Sequence, residues 1–257
     1  MHTIPSLRIA LTHPEQSPSS YLPFEQIRLA AQAAVSCGVR RFELCGGEPL
    51  EREDIPVLCM MLSSLTVAED MSLTTDGVLL PRWAKALRGA GVSRVIVKLD
   101  TFDPGRYRAM TGGGDLTAVL AGIRSLMEVG FPPATIEARL IGGVNDSELP
   151  SLVRLTKMTG VSLRLMELAG EEAAACGGTA LPIPEALARL PELERGDDGA
   201  LRLPGAAGTV AFVPAAAREA GCLCLDTDGM LRNAQGASVC LCSMEKAAME
   251  DAVRALL

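Results

Sequence analysis

The chain has 257 residues and a net charge of -7, with 31 acidic side chains against 24 basic ones; no run of lysines or arginines offers the surface that binds nucleic acid or an anionic membrane. Hydrophobic residues make up 48% and aromatics only 3%, so it can bury an aliphatic core large enough for one barrel, or for a barrel with a small appendage. No stretch approaches the ~20 continuous apolar residues of a membrane helix, and residues 1–12 lack a basic segment followed by an apolar one, so a cytoplasmic location is expected. In that compartment the eight cysteines read as buried thiols or metal ligands rather than disulfides.

From Leu7 to about Leu168, short β-rich runs alternate with helix-length segments, which is the pattern of parallel strands joined by crossover helices. Strands are predicted at Leu7–Leu11, Arg41–Cys45, Met71–Thr75, Arg94–Leu99, Thr135–Ile141 and Ser162–Glu167. Helices are predicted near Phe24–Cys37, Ile55–Ser64, Arg82–Ala90, Leu116–Val129 and Ser147–Thr159. Glycines 38, 91, 130 and 160 close four of these helices, as left-handed C-caps do. The reading is an α/β fold, a partial (β/α)6 TIM-like barrel over residues 1–169, followed by a small α+β extension over 170–257. In the extension a short helix is expected at Glu185–Leu190, a turn at Gly196–Gly199, strands at Leu201–Leu203, Val210–Val213, Leu223–Leu225 and Met230–Arg232, and a terminal helix near Ser243–Leu257.

The sharpest local signal is Gly46-Gly47-Glu48-Pro49, directly after the second strand. Two glycines allow a close backbone approach, the glutamate offers an acceptor to an ammonium group, and the proline freezes the turn. A tight strand-to-helix turn is the equally weighted structural explanation.

With other landmarks in order, the turn resembles that of the radical S-adenosylmethionine enzymes, specifically the MoaA-type GTP 3′,8-cyclases of molybdenum-cofactor biosynthesis. Leu7-Arg8-Ile9-Ala10-Leu11-Thr12 is similar to the family's first strand, Leu73-Thr74-Thr75-Asp76-Gly77 to its Thr-Thr-Asn-Gly turn, and Leu99-Asp100-Thr101-Phe102-Asp103-Pro104 to its Leu-Asp-Ser/Thr-Leu-Asp-Pro segment. Tyr107–Gly112, Val119–Ile123, Gly143–Asp146, Leu163–Glu167 and Thr227–Arg232 continue the likeness. The resemblance implies an open (β/α)6 barrel with a C-terminal extension. It assigns Gly46, Gly47, Glu48, Pro49, Thr75, Lys98, Asp100 and Glu137 to a vestigial S-adenosylmethionine pocket, and Arg52 and Arg164 to substrate binding.

The departures from the family bear on chemistry. Its first loop carries Cys-x3-Cys-x2-Cys, three thiolates that hold a cubane cluster and leave one iron open to the methionine group. With Thr12 aligned to the preceding threonine, those positions fall on Glu15, Ser19 and Leu22. Cys37 and Cys45 belong to opposite ends of the barrel and do not replace them; Cys37 and Cys59 read as buried helix-face thiols, and Cys45 as a core thiol or one facing the old pocket. Lys98 stands where the family has serine and Glu137 where it has asparagine. Thr135, Glu137 and Arg139 alternate onto one face, so Lys98 and Glu137 are expected to pair across adjacent strands, as an ion pair filling cofactor space or as an acid–base couple.

In the extension, family arginine positions that grip the nucleotide fall on Cys222 and Cys224, and a later cluster cysteine falls on Ala234. Cys222-Leu223-Cys224 and Cys240-Leu241-Cys242, if brought together, supply four thiolates for zinc or an iron-sulfur centre; thiols packed against the barrel are the competing reading. His2 and His13 read as solvated. The resulting expectation is a cluster-less family member without radical catalysis, binding S-adenosylmethionine weakly or not at all and acting as a partner subunit, a regulator or a nucleotide-binding module, with a catalytic homologue as one candidate protein partner. The alternatives are an enzyme of another class, using the C-terminal thiols or the Lys98/Glu137 pair, and, ranked last, a radical enzyme whose cluster is held by unconventional or partner-supplied ligands.

Overall fold

A computed structural model describes residues 6–13, 15–17, 20–65, 70–131, 134–158, 160–217, 222–242, 244 and 246–257. In chain order its elements are β1 (Ser6–Ala10), α1 (Phe24–Ser36), β2 (Arg41–Cys45), α2 (Ile55–Ser63), β3 (Asp70–Thr75), α3 (Leu80–Gly89), β4 (Arg94–Lys98), α4 (Pro104–Thr111), α5 (Leu116–Glu128), β5 (Ala134–Gly142), α6 (Leu149–Arg154) and β6 (Val161–Glu167). There follow α7 (Gly170–Ala175), β7 (Thr179–Ala180), α8 (Ile183–Ala188), β8 (Glu194–Arg195), β9 (Leu201–Arg202), β10 (Val210–Val213), β11 (Cys222–Leu225), β12 (Met230–Arg232), β13 (Ser238–Cys240) and α9 (Lys246–Leu256).

The chain forms two compact units, one of Met1–Thr75, Arg82–Val95 and Glu219–Leu257, the other of Asp76–Pro81 and Ile96–Arg218. The sequence boundary drawn at 169/170 falls inside the second unit. In the first unit β11, β1, β2 and β3 run parallel in that order, and β12 and β13 continue antiparallel beyond β11. In the second, β4, β5, β6 and β10 are parallel, β9 and β8 continue antiparallel, and β7 pairs with the end of β5.

Strand alternation explains the layering. In β1 and β2, Leu7, Ile9, Phe42 and Leu44 are buried, while Arg8, Glu43 and Cys45 occupy the half-buried opposite face. α1 buries Ile27 and four alanines, and its last turn reaches α9, where the Cys37 thiol donates to the Glu250 carbonyl at 3.4 Å. Cys37 is thus half-buried at the helix end, whereas Cys59 in α2 is fully buried, as the sequence predicts for it. In the second unit α5 packs on the Asp76-Gly77 turn so closely that a Cβ at Gly122 would overlap the Gly77 carbonyl, which accounts for the glycine in the Val119–Ile123 landmark. Glycines 38, 91, 130 and 160 all have positive φ, as expected of C-caps.

Burial pushes the Cys59 thiol up to about 12, from the 9.0 of a free thiol. Between those values the folded chain keeps a proton that the unfolded chain loses, so stability falls as pH rises through this window by about 1.4 kcal/mol per pH unit. Chemical unfolding of the parent and Cys59→Ala between pH 8 and pH 11 measures this, the variant showing the shallower decline. A thiol probe should reach Cys59 only on unfolding.

Candidate functional site

The Gly46–Pro49 turn closes on the chain's own backbone. Gly46 adopts φ +106, the Leu11 amide donates to the Cys45 carbonyl and the Gly47 amide to the Thr12 carbonyl, both at 2.8 Å. The Glu48 carboxylate accepts the Leu50 amide at 2.9 Å and the Thr75 hydroxyl at 2.8 Å. It therefore caps the short 3-10 turn Pro49–Glu51 and ties the end of β2 to the end of β3. Arg52 turns inward as well: its guanidinium donates to the Leu11 and Leu22 carbonyls at 3.4 and 3.1 Å and lies 4.2 Å from the Phe24 ring centroid. Burial lowers its pKa from the ordinary arginine value.

Of the three positions aligned with the family's cluster cysteines, the two that are described, Glu15 and Leu22, offer no thiolate. Glu15 is exposed, Ser19 lies outside the described residues, and Leu22 is 7% exposed with its amide bonded to the Thr227 carbonyl at 2.9 Å. His2 also lies outside the described residues, and His13 is exposed. Thr12 Oγ1 is buried without a hydrogen-bond partner among the described residues, one hydroxyl where a cubane asks for three thiolates. No group of three His, Cys, Asp or Glu side chains among the described residues has the arrangement to hold a metal. The residues present do not fit an iron-sulfur cluster at this place.

The second unit holds a cavity of about 340 Å3 lined by Asp76, Lys98, Asp100, Tyr107, Glu137 and Arg139 among others. Register explains the grouping: Lys98 on β4 stands opposite Glu137 on β5, which stands opposite Arg164 on β6. Lys98 and Glu137 thus share a face, as the alternation predicts. The carboxylate of Glu137 forms an ion pair with Arg164 at 3.4 Å. Beside this row Asp100 accepts the Arg139 amide at 2.7 Å and its guanidinium at 2.9 and 2.5 Å, and Arg139 also donates to the Cys176 sulfur at 3.1 Å. Sequence reasoning placed Arg139 on this face without seeing the clamp. Its signal is the acidic residue two positions beyond β4, at the strand ends where such landmarks cluster.

The four C-terminal cysteines form two separate pairs. Cys222 and Cys224 share a face of β11, whereas Cys240 ends β13 and Cys242 follows it, with β12 between the strands. Two strand spacings, about 9–10 Å, separate the strands that carry them, too far for one tetrathiolate. Cys242 donates to the Asp228 carbonyl at 2.7 Å and both its pair members are exposed. The inner pair sits in an electrostatic setting that the sequence did not reveal: Cys222 is in register with Ser6 and Cys224 with Arg8, and Arg8 pairs with Glu43 at 3.3 Å. A hydrogen bond from Cys224, with further help from Ser6 and Arg8, pulls the Cys222 thiol down to about 6, and Cys224 holds its own proton more tightly in return.

A family model described as the radical SAM superfamily matches residues 8–156. The GTP 3′,8-cyclase of Heliobacterium modesticaldum is 35% identical over 228 residues, covering 82% of this chain and 70% of its own. That of Alkaliphilus oremlandii is 38% identical over 147 residues, 57% of this chain, and the match spans 46% of its length. Among solved structures, Streptococcus suis SuiB bound to S-adenosylmethionine superposes with a TM-score of 0.67 at 11% identity, covering 97% of this chain and 64% of that one, a likeness of fold. No helix among the described residues is long and apolar enough to cross a membrane. The α/β fold is that of the radical SAM enzymes, and the chain belongs to the radical SAM superfamily and, within it, to the family of the GTP 3′,8-cyclases.

Proposed function

We propose that this chain is a non-catalytic member of the family, a partner subunit or regulator in molybdenum-cofactor-type biosynthesis, with a catalytic homologue as one candidate partner. The observation that carries the reading is Leu22. At the position aligned with the family's third cluster cysteine stands a buried aliphatic side chain, its amide held by Thr227 and its carbonyl by Arg52. Loss of the iron also removes the anchor for the methionine group of S-adenosylmethionine. The Glu48 carboxylate is engaged by Leu50 and Thr75, so affinity for that ligand is weak or absent. An acid–base enzyme built on Lys98 and Glu137 is the weaker reading, because the Glu137 carboxylate is already engaged by Arg164 at 3.4 Å.

The test is purification of the full chain without oxygen, followed by iron analysis, visible absorption and incubation with dithionite and S-adenosylmethionine. The expected result is a colourless protein without stoichiometric iron and without reductive cleavage of the sulfonium. A brown protein with near-stoichiometric iron overturns the proposal. A pull-down from the native organism then identifies the partner.

A further inference from the structure

The inner cysteine pair is a built site that the proposed function leaves unused. Cys222 is 6% exposed, its thiol donating to the Leu223 carbonyl at 3.4 Å, and Cys224 is half-buried; alternate residues of a strand, about 7 Å apart along the backbone, present both to the same side. Arg8 on the neighbouring strand, in register with Cys224, sends its charge toward both sulfurs and is itself steadied by Glu43. The absence of a third donor in metal-holding geometry among the described residues rules against zinc, which takes four ligands, at this pair. It suits an ion that is content with two. Soft thiolates select copper(I) among the common biological metals.

We propose that Cys222 and Cys224 form a two-thiolate site for copper(I), with Arg8 as its countercharge. On binding, two S–H bonds break, both protons leave to solvent and two Cu–S bonds form. Copper stays in the +1 state, so no electron is transferred. The bis-thiolate complex carries one net negative charge, which the guanidinium of Arg8 faces. Cys45, at the end of β2 on the same face, is near enough to influence Cys224 electrostatically but is not a ligand in this assignment.

The exposed Cys240/Cys242 pair would bind copper of its own, so the test uses the full-length C240S/C242S chain under anaerobic conditions. Copper(I) is titrated against the chromophoric chelator bicinchoninate. One equivalent is expected, retained on adding Cys45→Ser and lost on adding Cys222→Ser or Cys224→Ser. Arg8→Gln should weaken uptake by roughly tenfold through loss of the countercharge. Because a buried serine costs folding stability, the same chain is also treated with phenylarsine oxide, which bridges adjacent thiols; the copper equivalent should disappear while circular dichroism stays unchanged. Failure of the C240S/C242S chain to take up copper overturns the site, as does uptake indifferent to the arsenical or to Cys224→Ser; loss with Cys45→Ser overturns the two-ligand assignment. Copper and iron are measured separately, so none of these results depends on the non-catalytic reading.

Discussion

Asn145→Ala should destabilise the chain by about 4 kcal/mol, measured by chemical unfolding, because it takes the partner from three backbone groups at once. Asn145 is fully buried, and its side chain makes three bonds: the amide donates to the Asp100 carbonyl at 2.8 Å and the Arg139 carbonyl at 2.7 Å, and the amide oxygen accepts the Ile141 N–H at 3.0 Å. Each buried group left without a partner costs about 1–3 kcal/mol, and three are exposed to that loss at once. Asn145→Asp distinguishes this account from simple loss of volume. The carboxylate keeps the shape and the acceptor but cannot donate, and it would face two carbonyl oxygens, so it should be at least as damaging as alanine. Either variant falling within 1 kcal/mol of the parent would show that the bonds are not holding the segment.

That result bears on how family landmarks should be read. The Gly143–Asp146 segment and Leu99-Asp100 resemble stretches of enzymes that bind a cofactor, yet here Asn145 and Asp100 are accounted for by backbone bonds and the Arg139 clamp. The strands were legible because alternation and apolar runs agree: Arg41–Cys45, Val210–Val213 and Met230–Arg232 were placed to the residue. The helix α4 was not anticipated, although its signals were present. Asp103 accepts the Arg106 amide at the N-cap, Pro104 occupies the first turn, and Gly112 ends it at φ +68, but the stretch lacks the apolar periodicity that marks a helix in sequence. The helix expected over Ser147–Thr159 is instead α6 flanked by two 3-10 turns, with Pro150 in its first turn. Short edge strands such as β8 and β13 carry no apolar run and exist only because a turn returns the chain to a neighbour.

The candidate site was legible in its rows and not in its pairings. Period-two reasoning puts Lys98 and Glu137 side by side, and the register sets them opposite one another, but that Arg164 also pairs with the Glu137 carboxylate depends on the strand that arrives next, β6, and on its register. The same holds for the thiols. A Cys-x-Cys spacing says that two sulfurs share a face; it does not say that Arg8 lies beside one pair and a surface turn beside the other.

Gly46→Ala should cost about 4 kcal/mol of stability, and its size decides what the Gly46–Pro49 turn is for. An alanine Cβ would stand 2.5 Å from the Thr12 carbonyl oxygen and 2.9 Å from the Leu11 and Thr12 amides, all backbone atoms that cannot swing aside. Relief requires the turn to move from Thr12, and that movement strains the Leu11–Cys45 and Gly47–Thr12 hydrogen bonds; the φ of +106 adds backbone strain of about 1–3 kcal/mol for any residue with a side chain. A glycine kept to admit a ligand would behave differently: its replacement would weaken S-adenosylmethionine binding and leave the unfolding midpoint of the ligand-free chain in place. The two accounts therefore separate in one experiment, denaturant unfolding of the parent and Gly46→Ala with and without S-adenosylmethionine. A large loss independent of the ligand assigns the glycine to the junction of β1, β2 and β3. A parent stabilised by the ligand beside a variant that folds equally well but is not would return the turn to cofactor binding, and with it the case for chemistry at this site.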